Sequence, residues 1–88
     1  MKVRFKASFA SDLQALKDKS LLERVRALIA TVESAESLQE IPNLKKLRGG
    51  GVYYRVRLGD FRVGLVLEED AIAFVRVLHR REVYRYFP

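Results

Sequence analysis

The chain has no cysteine and no tryptophan, and it carries one histidine, one methionine and two prolines in 88 residues. Without cysteine there is no disulfide framework and no thiolate nucleophile, and nothing points to an oxidising compartment. One histidine and few clustered carboxylates leave too few ligands for a zinc site, so no metal or other cofactor is expected. Long hydrophobic runs are also missing: the longest, Ala71 to Val75, spans five residues, against about 20 for a membrane-spanning helix. Lys2, Arg4, Lys6 and Asp12 interrupt any apolar segment of signal-peptide length. A soluble, cytoplasmic protein is expected. A chain of this size reads as one domain, residues 1–88, burying roughly 60% of the surface its unfolded form exposes, with little material for a deep pocket. A hydrophobic fraction of 49% argues against intrinsic disorder.

Acid is in short supply as well: 17 Lys and Arg face 11 Asp and Glu, giving a net charge of +6. The imbalance is local. Residues 1–44 hold seven basic and six acidic residues, whereas residues 45–88 hold ten basic and five acidic. Eight of those ten bases are arginine, whose planar fork suits phosphate and stacks on flat rings. Tyr53, Tyr54, Phe61, Phe74, Tyr84, Tyr86 and Phe87 are interleaved with them. That mixture suits RNA or single-stranded nucleic acid, although a solvated basic face would have the same composition.

Alternation over Val3 to Phe5 predicts a short strand. Ser8 is placed to cap a helix whose Phe9, Leu13 and Leu16 share one face, ending near Asp18. Ser20-Leu21-Leu22-Glu23 matches a capping box, and Leu21, Val25, Leu28, Ile29 and Val32 follow at helical spacing. The short connection implies an antiparallel helix pair. Between Ala35 and Gly51, Pro42 and three consecutive glycines break regular structure, while Leu38, Ile41, Leu44 and Leu47 recur every third residue. This segment reads as a loop pinned to the core. The glycines make no P-loop, because Lys45 and Lys46 precede them and no Gly-Lys-Ser/Thr follows. Three strands come next, over residues 53–58, 61–67 and 72–79, the first two joined by Gly59-Asp60. The expected fold is α+β: an N-terminal strand, the helix pair, and a three-stranded antiparallel meander completing a four-stranded sheet.

A two-residue turn at Gly59-Asp60 puts Leu58 opposite Phe61, Val56 opposite Val63 and Tyr54 opposite Leu65, all toward the core. Arg57 then stands against Arg62, and Arg55 against Gly64, on the other face. Like charges directly opposite destabilise a sheet by up to about 1 kcal/mol, so stability alone does not explain them. Gly64 leaves space beside Arg55 and marks close approach of a ligand or of backbone. Converging guanidinium groups form an anion site, with phosphate the natural anion. The next register has two solutions. A three-residue loop at Glu68 to Asp70 places Arg76 across from Arg62 with Ala73, Val75 and Val77 inside; a two-residue loop buries Ile72, Phe74 and Leu78 and turns Arg76 inward. The first is preferred because it avoids a buried unpaired charge, though it points His79 toward the core side.

The runs Leu47-Arg48-Gly49, Tyr54-Arg55-Val56-Arg57, Gly59-Asp60-Phe61-Arg62 and His79-Arg80-Arg81-Glu82-Val83-Tyr84 together resemble the RelE/ParE superfamily of bacterial and archaeal toxins, RelE branch foremost, across essentially the whole chain. The resemblance implies a RelE-like domain and the toxin half of a type II toxin–antitoxin pair. Such a toxin is a metal-independent endoribonuclease that cuts mRNA in the A site of the small ribosomal subunit and is silenced by a cognate antitoxin. The ribose 2′-OH is its nucleophile. By position, Arg55, Arg57, Arg62, Arg80 and Tyr84 match the family's catalytic residues. Arginines suit the charge of a pentacoordinate phosphorane, and Tyr84 can stack on a base or protonate the leaving oxygen. Well-known RelE enzymes carry Lys at the places of Arg55 and Arg57, and Arg does not surrender its proton. His79 is then the natural general base, or else a strand-end histidine satisfied by a backbone carbonyl. Lys45, Lys46, Arg48, Arg76, Arg81 and Arg85 are expected along the RNA path. Two alternatives remain: a ParE-like toxin that poisons gyrase, and a basic RNA- or ribosome-binding module without chemistry.

Overall fold

The computed structural model describes every residue except Arg48 and Gly50. Strand β1 (Lys2–Phe5) leads into helices α1 (Ala7–Ala15) and α2 (Lys19–Ser34). A 3₁₀ turn (Leu38–Glu40) follows, then strands β2 (Leu44–Lys46), β3 (Tyr53–Leu58), β4 (Phe61–Glu68) and β5 (Ala71–His79) and a one-turn helix α3 (Val83–Tyr86). The strands form one mixed sheet in the order β1-β5-β4-β3-β2, with β1 parallel to β5 and the other pairs antiparallel. The sheet therefore has five strands rather than four. The extra strand is β2, which pairs Leu44 with Val56, Lys45 with Arg55 and Lys46 with Tyr54. Three residues between Pro42 and the glycines are too short for alternation to register. The apolar triplet spacing around β2 does act as a pin: Ile41 and Leu47 are buried, and Leu38 and Leu44 pack on the core.

The helix pair covers one face of the sheet. Phe9 of α1 and Leu21, Val25, Leu28 and Val32 of α2 are buried against Val56, Val63, Leu65, Ile72 and Phe74. Both helix starts differ from expectation. Lys6 occupies the N-cap of α1, and the Ser8 hydroxyl donates to the Val75 carbonyl at 2.6 Å, tying α1 to β5. Asp18, not Ser20, caps α2, its carboxylate accepting the Leu21 amide at 3.1 Å. The cap thus falls where α1 was expected to end, and α1 stops at Ala15. At the far end of α2, the Met1 ammonium donates to the Glu33 and Ala35 carbonyls at 2.8 and 2.7 Å. A cation there complements both the free carbonyls and the helix dipole. Among the described residues no helix is long and apolar enough to cross a membrane.

The β3–β4 register is as expected, with Arg57 opposite Arg62 and Arg55 opposite Gly64. Neither register foreseen for β5 holds along its whole length. The hairpin turns on two residues, pairing Glu68 with Ala71, so Ile72 and Phe74 are buried. A bulge then falls between the Leu65–Phe74 and Gly64–Arg76 pairs, with Val75 as the additional residue. Val77 thereby returns to the core, and Arg76 stands across from Gly64 instead of Arg62. The bulge removes the conflict between burying Phe74 and exposing Arg76.

Candidate nucleic-acid interface

On the sheet face away from the helix pair the strand registers set basic residues in two rows. One row runs Arg57–Arg62–Leu78, the other Lys45–Arg55–Gly64–Arg76. The second row is interrupted at Gly64 by the protein itself. The Phe87 ring lies over that glycine so closely that a Cβ would stand 2.8 Å from its carbons. Gly64 is therefore cleared for the chain's own C-terminal segment and offers no open space, which corrects the expectation of a vacancy beside Arg55. Val83 and Phe87, four residues apart and thus on one side of α3, are buried with Leu47 against Val66, Val75 and Leu78. This second, small core anchors α3 and turns Tyr84 outward, 65% exposed.

Five of the expected catalytic residues come together. The field at the Arg62 guanidinium includes contributions from Arg55, Arg57, Tyr84 and Arg80. Burial first, and then Arg55 and Arg57, pull the pKa of Arg62 below the ordinary arginine value, with Tyr84 acting the other way; the group stays charged at neutral pH. Arg62 Nη1 donates to the carbonyls of Gly59 and Phe61 at 2.7 and 2.9 Å, holding the guanidinium at the β3–β4 turn. Arg80 is tied to the same turn through its amide, 2.7 Å from the Asp60 carbonyl, and through its Nε, 3.7 Å from the Asp60 carboxylate. Arg55 donates from Nη1 to the Asn43 carbonyl at 3.3 Å, while its buried Nε has no partner. An unpaired buried donor is costly unless a ligand completes it. Beside the cluster a polar cleft of about 480 Å³ is lined by Arg24, Asn43, Arg57, Gly59, Asp60, Arg62 and Arg80. Arg24 comes from α2 and was absent from every motif read in the sequence. It crosses the turn at Gly59 (φ +58°), its Nη1 3.0 Å from where a Cβ would stand.

His79 stands at the end of β5, directly before Arg80. It pairs with Phe61, whose side chain packs on the helix-side core, and the two rings meet edge to face at 5.4 Å. His79 Nδ1 accepts the Arg81 amide at 3.2 Å. The backbone group bonded to His79 is thus an amide donor, not the carbonyl that the strand-end alternative expected. The residues expected along the RNA path divide. Arg76 is committed to Asp12 of α1, with Nε and Nη2 at 2.8 and 3.1 Å from the carboxylate, which also accepts the Val77 amide. That pairing raises the Arg76 pKa. The guanidinium also sits over the Tyr86 ring at 5.9 Å. Lys45 and Lys46 are exposed and line, with Leu47, Tyr84, Phe87 and Pro88, a groove of about 370 Å³ beside the arginines. Arg81 and Arg85 are exposed around α3, and Arg48 lies outside the described residues. Among the described residues no group of three or more potential metal ligands gathers.

Residues 3–84 match the family described as the ParE toxin of the type II toxin–antitoxin system parDE. Toxin RelE3 of Methanocaldococcus jannaschii is 37% identical over 89 aligned positions, covering all of both chains. The toxin in the RelB–RelE antitoxin–toxin complex from Methanococcus jannaschii superposes with a TM-score of 0.82 at 34% identity, over 97% of this chain and 99% of that one. The archaeal RelE–RelB complex from Pyrococcus horikoshii OT3 gives 0.72 at 26% identity, over 90% and 93%. Fold and family together define a toxin of a type II toxin–antitoxin system, and the chain belongs to the RelE branch of the RelE/ParE superfamily.

Proposed function

We propose that this toxin is an endoribonuclease that cleaves mRNA on the ribosome, with Arg55, Arg57, Arg62, Arg80 and Tyr84 as the residues at the scissile phosphate. The observation carrying this reading is the gathering of four arginines and an exposed tyrosine against a single carboxylate, Asp60. A ribose 2′-oxygen attacks the adjoining phosphorus as its proton leaves to water, the bond to the 5′-oxygen breaks, and a cyclic phosphate and a 5′-hydroxyl result. The guanidinium groups stabilise the extra negative charge on the phosphorane, and Tyr84 protonates the leaving oxygen or stacks on the adjacent base. His79, turned to Phe61, takes no part in this step. The related toxins solved with RelB support a cognate antitoxin for this chain too, one that offers an acidic or amphipathic segment to the arginine surface or the helix pair.

Primer extension on mRNA after induction tests the reading. Wild type gives discrete cut sites and arrests growth. Arg62→Ala lowers cleavage by about 10²–10³-fold, the usual loss for one transition-state donor, and Tyr84→Phe also lowers it. The ParE description of the matched family favours one rival. Intact mRNA together with inhibited gyrase supercoiling would replace the ribonuclease with that rival.

A further inference from the structure

We propose that Arg24 on α2 supplies a second phosphate subsite, gripping the RNA strand next to the scissile phosphodiester that Arg57, Arg62 and Arg80 serve. The proposal rests on the ribonuclease reading, which also gives the test its cleavage position; binding, rather than cleavage, is what the test reads. Three observations converge on Arg24. First, it lies on the helix layer, yet its guanidinium reaches the β3–β4 turn and lines the same polar cleft as Arg57, Arg62 and Arg80. Second, no salt bridge among the described residues involves Arg24 or Arg57. This contrasts with Arg76, whose charge is fully answered by Asp12. Third, Arg24 crosses the turn at a glycine, its Nη1 3.0 Å from where a Cβ at Gly59 would stand.

The chemistry of the cleft selects its ligand. Asp60 is its one carboxylate, 72% exposed and 3.7 Å from Arg80, so an anion entering between Arg24 and Arg57 meets an excess of positive charge. Arginine forks bind phosphate oxygens in pairs, and the cleft is continuous through Arg62 and Arg80 with the catalytic cluster. A single strand whose reacting phosphate sits on Arg62 can run along this cleft and offer a further phosphate to Arg24. Placing that second contact on a helix, away from the reacting bond, fixes the strand's direction across the sheet without competing for the phosphorane.

The test measures binding of a heptaribonucleotide by fluorescence anisotropy across a salt series, with 2′-deoxyribose at the cleavage position to block reaction. Arg24→Gln is expected to weaken binding about five- to tenfold and to lower the slope of log affinity on log salt by about 0.7, the release from one single-strand phosphate. Arg26→Gln removes the same charge from an exposed position on the same helix and is expected to change affinity by less than about twofold. Replacing one linkage beside the cleavage position by an uncharged methylphosphonate should weaken wild type but add nothing to Arg24→Gln. Equal effects of the two arginine substitutions, no effect of either, additivity with every methylphosphonate, or no binding by wild type would each overturn the subsite. A loss seen only with ribosomes present would assign the phosphate to ribosomal RNA and overturn it likewise. Both variants are checked for wild-type melting temperature. Failure of the ribonuclease reading shows elsewhere, as intact all-ribose RNA in the presence of ribosomes.

Discussion

The two faces of the sheet are built to opposite rules. Under the helix pair, β3, β4 and β5 present Val56, Val63, Leu65, Ile72 and Phe74, each no more than 1% exposed and all apolar. On the other face the same strands present Arg55, Arg57, Arg62 and Arg76, with apolar cover only where α3 and Phe87 reach. The first face does the folding. The second sets Arg57 directly against Arg62, an arrangement that costs stability, and keeps its one well-satisfied arginine, Arg76, at the edge where α1 supplies Asp12. A small domain without a deep pocket can in this way devote one side of a sheet to holding together and leave the other for charge.

Phe74→Ala should break the first face with the largest effect. The ring is fully buried and packs at a tilt against Phe5 and Phe9, 5.5 and 5.3 Å between centroids, so its loss is expected to cost about 3–5 kcal/mol, read as a lower denaturation midpoint in urea. A loss under 1 kcal/mol would mean that the helix-side core is not what stabilises the fold. Gly64→Ala probes the seam between the faces. The added methyl meets the Phe87 ring at 2.8 Å, and displacing the ring uncovers Val66 and Leu78. We expect roughly 1–3 kcal/mol of destabilisation and a concurrent drop in cleavage, because α3 carries Tyr84. Full activity with lowered stability would show that Tyr84 does not depend on this anchor.

Much of this division was legible in the sequence because period-2 alternation around a two-residue turn sets both faces at once: Gly59-Asp60 sufficed to place Arg57 against Arg62. The rest depends on contacts that no local pattern encodes. The bulge at Val75 is favoured by Ser8 and Asp12, which lie far away in sequence and bond to β5 at Val75 and Val77. Strand β2 was hidden by its length. Gly64 does mark a close approach, but the approaching group is Phe87, and in the sequence only Val83 and Phe87 at helical spacing point to α3. Arg24 carried no motif at all. For His79, the only histidine, local pattern foretold neither the Phe61 ring beside it nor the Arg81 amide on its Nδ1.

The sharpest contrast between the faces should come from Arg57→Gln, although its effect on stability is small. Arg57 is exposed, has no salt bridge among the described residues and lowers the pKa of Arg62 opposite. A base whose pKa is depressed on folding binds its proton less tightly in the native state, so at neutral pH the charge opposes folding. Removing Arg57 should therefore stabilise the free protein by up to about 1 kcal/mol, while cleavage falls because a donor to the phosphorane is gone. The gain should shrink as salt screens the pair over distances near 10 Å at 0.1 M. A melting temperature that drops in Arg57→Gln, or a gain indifferent to salt, would mean that the two arginines are not in conflict. The basic face would then be an ordinary solvated surface, and the case for a phosphate site would have to stand on Arg62 and the orphan Nε of Arg55 alone.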